Sequence, residues 1–219
     1  MQVTRILAIR HGETAWNVDT RIQGQLDIGL NAMGRWQAAR VGQALRDEPI
    51  NAIYSSDMAR AFETAQTIAH HHVHTPVLRV VPDTGLRERH FGHFQGKTWA
   101  EIENEWPEDA KRWRARDPDW SPLDGESLTV LRQRIATCVE ALASQHVGEQ
   151  IVLVAHGGVM DVLYRLATNQ STQAPRTWHL GNAAINRLLW TPQGLSLVGW
   201  GDVSHFDEAH DAPRDETSA

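Results

Sequence analysis

The sequence predicts an α/β protein: a three-layer α/β/α sandwich on a mainly parallel sheet, carrying a small helical cover. Three observations predict it. Ile6-Leu7-Ala8-Ile9 and Ile151-Val152-Leu153-Val154 are short continuous apolar runs, the pattern of strands buried on both faces. Amphipathic helical stretches separate the runs, which argues for layers around a parallel sheet. The 219 residues exceed the usual domain length of about 150 only moderately, so one domain is the default.

Taken in order, Ile6–Ile9 opens the sheet. A helix follows from Asn31, a suitable N-cap, with Met33, Trp36, Val41 and Leu45 on one face. Ala52-Ile53-Tyr54 reads as the second strand. Asp57 is placed to cap a helix whose apolar positions Met58, Ala61, Phe62, Ala65, Ile68 and Ala69 keep a 3.6-residue period. Val77 to Val81 reads as a third strand, closed by Pro82. From Ser127, the positions Leu128, Leu131, Ile135, Val139 and Leu142 mark a long helix that leads into the Ile151 strand. A helix through Val159, Val162, Leu163 and Leu166 comes next. Ala184–Trp190 and Leu195–Trp200, joined by Thr191-Pro192-Gln193-Gly194, read as a terminal hairpin. The hairpin edge leaves a homodimer open as an expectation.

The segment 89–126 departs from this rhythm. Trp99, Trp106, Trp113 and Trp120 recur every seven residues, yet Pro107 and Pro118 forbid one continuous helix. Short helices folded over the sheet fit better. They supply a satellite core, with some indoles walling a ligand pocket as the sharper alternative. The expected domain spans 1–201, with 89–126 inserted as the cover and 202–219 as a flexible acidic tail.

Composition narrows the class of function. Hydrophobic residues make up 41% and charged residues 22%, which excludes wholesale disorder. Net charge is −6, and six acids against Arg214 alone put −5 of it in the last eighteen residues. That leaves no broad basic surface for nucleic acid. No apolar run approaches the ~20 residues of a membrane span, and no secretory leader is evident at the N-terminus. The single cysteine, Cys138, cannot form an internal disulfide, so a cytoplasmic location is expected. His70-His71-His72-Val73-His74 lacks interleaved carboxylates or cysteines and reads as a solvated histidine run, with no metal expected.

Ligands of an open α/β sheet bind outside the carboxyl ends of its strands. The first strand runs into Arg10-His11-Gly12, and the Ile151 strand runs into Ala155-His156-Gly157-Gly158, which sets two histidines on one edge. Arg60 lies in the first turn of the helix after the second strand, where free backbone N–H groups already favour an anion. Its planar fork suits two phosphate oxygens.

These segments, with Ser55-Ser56-Asp57-Met58-Ala59-Arg60-Ala61 and Leu86-Arg87-Glu88-Arg89-His90-Phe91-Gly92, resemble the histidine phosphatase superfamily, also called phosphoglycerate-mutase-like. The resemblance runs from about residue 3 to residue 200 and implies a cover over the active site. It implies His11 as a nucleophile that becomes phosphohistidine, and Arg10, Arg60 and His156 as the phosphate pocket. Asn17, Gln23 and Gly157 would bind substrate, and Glu88 would act as proton donor. No metal or cofactor enters that scheme; the expected partner is a small phosphomonoester.

Three functions follow from this resemblance. The first is a phosphatase of small phosphorylated metabolites. The second is a phosphoglycerate mutase, whose relatives carry a longer cover with a lysine and an adjacent arginine pair. Only 67 residues separate Glu88 from His156, and the pair is absent, which favours the phosphatase branch. The third is an inactive phospholigand-binding module, disfavoured because His11 and Glu88 are both present.

Overall fold

The fold is built around β1 (Thr4–Arg10) and β4 (Gln150–Ala155), which pair in parallel at the centre of one six-stranded sheet. The structure, a computed structural model, describes residues 2–73 and 78–207. Adding β2 (Ala52–Ser55), β3 (Val80–Pro82), β5 (Ile185–Thr191) and β6 (Gly194–Asp202) gives the strand order β3-β2-β4-β1-β5-β6. The first four are mutually parallel; β5 pairs antiparallel with β1, and β6 antiparallel with β5.

Alternation along each strand divides the core. Ile6, Ala8, Ile151, Leu153 and Ala155 face one cluster with α6 (Leu128–Ala143) and α7 (Gly157–Ala167). Leu7, Ile9, Val152 and Val154 face the other, with α2 (Ala32–Ala44) and α3 (Ala59–His71). Every residue of β4 is buried, as its unbroken apolar run requires. The Asn31 cap is realised, its side chain accepting from the Gly34 N–H, and so is that of Ser127, which accepts from the Val130 N–H. Each contributes about 1 kcal/mol. A short α1 (Ala15–Val18) follows β1, closed by a reciprocal capping box between Thr14 and Asn17.

The structure corrects four expectations. Asp57 does not cap α3: the N-cap is Met58 without a side-chain bond, and Asp57 is held by the Arg87 guanidinium instead. The Ala59 N–H at that end is served by Asp27, from the loop before α2, at 2.7 Å. On α2 the buried stripe is Gly34, Gln37, Ala38 and Val41, while Met33 and Trp36 are only half-buried. The third strand is Val80–Pro82, so Pro82 lies within it; an edge strand tolerates a proline because one side of its backbone is unpaired. Val77 lies outside the described residues. Finally, the ordered fold runs past residue 201. Asp202 ends β6 and pairs with Arg187, and Phe206 is buried against Trp36. The rest of the expected tail, 208–219, lies outside the described residues, as does His74 of the histidine run.

The cover consists of α4 (Trp99–Glu105) and α5 (Pro107–Arg114), with Pro107 in the first turn of the second, where its missing N–H costs nothing. Phe94, Ile102 and Ala110 are its buried centre, and all four tryptophans pack around them.

Candidate active site

Strand register brings the two histidines together. Arg10 pairs with Ala155, so the next residue on each strand is a histidine, and the His11 N–H donates to the Ala155 carbonyl at 2.9 Å. Their rings meet edge to face with centroids 5.2 Å apart. The His11 Nδ1–H donates to the Gly12 carbonyl at 2.7 Å. That bond fixes the tautomer and leaves the lone pair on Nε2, which accepts from Arg60 Nε–H at 3.2 Å. Burial, reinforced by the charges of Arg60 and Arg10, pushes the His11 imidazole well below its ordinary range. It is therefore neutral at pH 7, with its free electron pair aimed at a guanidinium.

Gly12 makes this loop possible. A Cβ there would stand 2.3 Å from the Gly34 carbonyl oxygen, so only glycine lets α2 approach. Arg60 itself is fixed by donating to the carbonyls of Gly24 and Leu26 at 2.7 and 2.9 Å. His156 is the N-cap of α7 and fully buried, with neither ring nitrogen bonded to a described residue. Burial first, then Arg60, His11 and Arg10, depress its pKa as well.

Glu88 faces this group from the loop that precedes the cover. Its carboxylate accepts from the Gly158 N–H at 2.9 Å and from the Arg89 N–H at 2.7 Å. Burial raises its pKa, against the opposing effect of those two N–H groups and the nearby guanidiniums. Arg134 pins the loop by donating to the carbonyls of Gly85 and Arg87, and its guanidinium also grips Glu126. The elements of the site thus hold a neutral imidazole and a carboxyl whose pKa burial raises in one place.

A cavity of about 500 Å³ opens over these residues. Arg10, His11, Gln23, Arg60 and Glu88 line it from the strand ends and the adjoining loops. Asn17, His156 and Gly157 are buried beside it without lining it. The Asn17 Oδ1 is occupied by the Thr14 N–H at 2.8 Å, whereas the buried Oε1 of Gln23 accepts from no described residue. The cover contributes Arg89, Arg114 and Arg116 to the lining, and Arg21, Arg176 and the acid Asp161 line the cavity as well. Trp99, Trp113 and Phe91 also line it from the cover, so two of the four heptad tryptophans face ligand space and Trp106 and Trp120 stay in the satellite core. Among the described residues no cluster of metal-binding side chains occurs, and no helix is long and apolar enough to cross a membrane.

Sequence reasoning missed three participants. Gly158, rather than Gly157, carries the N–H that meets Glu88, and a Cβ on it would come within 2.3 Å of that carboxylate. The second glycine of the Gly157-Gly158 pair was the available signal. Trp178 walls the cavity from the loop before β5, and Asn182 sits behind His11; neither belongs to a periodic pattern.

The family model described as histidine phosphatase superfamily (branch 1) matches residues 6–203. The chain belongs to the histidine phosphatase superfamily. It is 40% identical over 206 residues to phosphoglycerate mutase-like protein 4 of Arabidopsis thaliana, covering 93% of this chain and 87% of that one. A metal-independent phosphoserine phosphatase from the same plant is 38% identical, with 94% and 84% covered. The structure of mycobacterial glucosyl-3-phosphoglycerate phosphatase in complex with VO3 superposes with a TM-score of 0.78 at 33% identity, covering 90% of this chain and 99% of that one. Superfamily membership and the phosphoglycerate-mutase-like fold therefore stand as expected.

Proposed function

We propose that this chain is a phosphomonoesterase of small phosphorylated metabolites, working through a phosphohistidine on His11. One observation carries the reading: His11, with its Nε2 lone pair, and Glu88, with its raised pKa, line one arginine-rich cavity. In the first step Nε2 attacks phosphorus and the ester P–O bond breaks. Glu88 gives its proton to the departing alkoxide. In the second, the Glu88 carboxylate takes a proton from water, whose oxygen attacks phosphorus. The P–N bond breaks and inorganic phosphate leaves. Arg10, Arg60 and His156 offset the charge on the equatorial oxygens, which is most of what phosphoryl transfer asks of a protein. The bound phosphate also supplies an acceptor to the buried ring of His156 and holds Glu88 protonated until the leaving group needs it.

The cover end of the cavity points to leaving groups that bear a second acid. Arg89 is buried beside Arg116, and burial depresses its pKa to about 10. Its guanidinium lies over Trp113, and Nε donates to the Glu126 carbonyl. An anion there relieves an under-compensated buried cation. Phosphoserine, named in one relative, has such a carboxylate.

The runner-up is phosphoglycerate mutase, which returns the phosphoryl group from the same histidine to another hydroxyl; the mutase-like relative keeps it in view. A panel of phosphorylated metabolites assayed for both liberated phosphate and isomerised product separates the two. Phosphate release without isomerisation is expected, and EDTA is expected to leave the rate unchanged. Isomerised product as the main outcome, or loss of activity in EDTA, overturns the reading.

A further inference from the structure

Against the backbone of the nucleophile, and not among the cavity-lining residues, lies an amide that the chemistry above does not use. Asn182 is fully buried in the turn before β5. Its Nδ2 donates to the His11 backbone carbonyl at 3.0 Å and to the Asn17 Oδ1 at 3.3 Å. Both partners are acceptors at these contacts, so the amide sits with its nitrogen toward them. Its Oδ1 accepts from no described residue, which leaves two donor bonds into the His11 loop as its polar contacts there.

The turn is built to deliver that nitrogen. Ala183 adopts φ 54°, a left-handed conformation that a non-glycine residue takes only under constraint. From it, the Ala183 N–H reaches the Arg10 carbonyl at 3.0 Å, one residue before the carbonyl that Asn182 holds. The C-terminal segment braces the turn from behind: His205 Nε2–H donates to the Ala183 carbonyl at 3.1 Å, and Arg40 holds the His205 carbonyl. Two consecutive carbonyls, those of Arg10 and His11, are thus clamped by two consecutive residues beyond the end of the β1–β5 ladder.

We propose that Asn182 is a positioning residue for the phosphoryl-transfer step: a single amide nitrogen fixes the His11 backbone and the Asn17 side chain together, holding Nε2 on its line of attack. The proposal rests on the reading of His11 as nucleophile. Misplacing a reacting atom by about 1 Å costs on the order of 100-fold in rate, with little effect on binding of the ground state. Among the described residues the His11 ring is met by its own Gly12 bond, the Arg60 contact and the edge of the His156 ring, so the backbone clamp helps to set where the ring stands.

The test uses the full chain with p-nitrophenyl phosphate as substrate and inorganic phosphate as inhibitor, with rates normalised to the fraction folded. Asn182→Ala is expected to lower kcat by about 10- to 100-fold while KM and the phosphate inhibition constant move less than about threefold. Asn182→Asp, which keeps the shape, carries the sharper readout. Ionised, it turns an acceptor toward the His11 carbonyl; protonated, it donates as the amide does. Its kcat relative to wild type is expected to rise as pH falls from 7 to 5. Wild-type kcat in folded Asn182→Ala, or a pH-independent ratio for Asn182→Asp, overturns the proposal. His11→Ala, run alongside, keeps the two readings apart. If it retains turnover the nucleophile assignment fails, and if it is inactive while both Asn182 variants match wild type the positioning role alone fails.

Discussion

At the strand end of the cavity, Arg10 and His11 stand where the β1–β4 register puts them, and His156 follows from the partner strand. At the cover end, Arg89 and Arg114 are held by indole faces, with Arg89 4.8 Å from the Trp113 ring centre and Arg114 5.1 Å from that of Trp99. The first arrangement is fixed by a hydrogen-bonded sheet that any displacement would break at several points. The second depends on packing among large rings on two helices of seven and eight residues, lengths marginal in isolation. On the proposed reading, chemistry belongs to the strand end, and substrate selection belongs to the end that side chains can retune.

The widest separation between the two ends comes from His11→Ala. Loss of the attacking nitrogen is expected to cut turnover by at least about 1,000-fold for every substrate, measured as phosphate release. Retention of more than a tenth of wild-type activity ends the nucleophile assignment. Glu88→Gln is next, lowering kcat by about 100-fold or more while phosphate inhibition shifts only a few-fold. Equal effects on both remove its acid–base role. The pH profile of kcat/KM tells these residues apart. His11 has a depressed pKa, so it stays unprotonated and active well below 6.5, and its protonation makes the acid limb. Glu88 must hold a proton and its pKa is raised, so its ionisation makes the alkaline limb, which Glu88→Gln is expected to abolish. Stability falls on the same side as the acid limb. His11 and His156 bind protons less readily folded than unfolded, so acidification below about 6.5 destabilises the fold.

Arg89→Met probes the other end. The thioether keeps much of the apolar stem against Trp113 and removes the charge. KM for a carboxylate-bearing phosphomonoester is expected to rise about tenfold, a change of ~1.4 kcal/mol, with p-nitrophenyl phosphate little affected. The same rise for both substrates would mean that Arg89 merely supports the cover.

That contrast also explains what the sequence made legible. The apolar runs at Ile6 and Ile151 specify buried parallel strands, and a histidine just past each run has one place to go. Arg60 at the start of α3 follows from helix periodicity in the same way. The misassigned cap at Asp57 has a different origin: its partner Arg87 lies thirty residues on, and the residue that serves the α3 N-terminus, Asp27, comes from another loop. Asn182 and Trp178 sit in an irregular segment whose backbone is set by tertiary contacts, so no period reveals them. The heptad of tryptophans was visible as a spacing, but Pro107 splits it. Which rings then face the cavity is decided by how α4 and α5 fold on each other.

The smallest expected effect tests that division within the cover. Trp106 belongs to the satellite core: its ring meets His93 edge-on at 4.4 Å and lies 5.9 Å from Phe94, under the Lys97 ammonium at 5.5 Å. Trp113, seven residues on, contacts Phe94 too but also walls the cavity. Trp106→Leu removes ring area from the satellite core without touching the cavity, so it is expected to cost a few kcal/mol of local stability at most. Hydrogen exchange should report it as faster exchange at the Ile102 and Ala110 amides, which close the turns of α4 and α5 on either side of Trp106. Because the catalytic end is anchored in the sheet, kcat should stay within about twofold of wild type, while KM for a carboxylate-bearing substrate rises modestly as the wall loosens. A fall in kcat matching the loss of protection would mean that the cover and the strand edge open as one unit, and the separation of chemistry from selection would not hold.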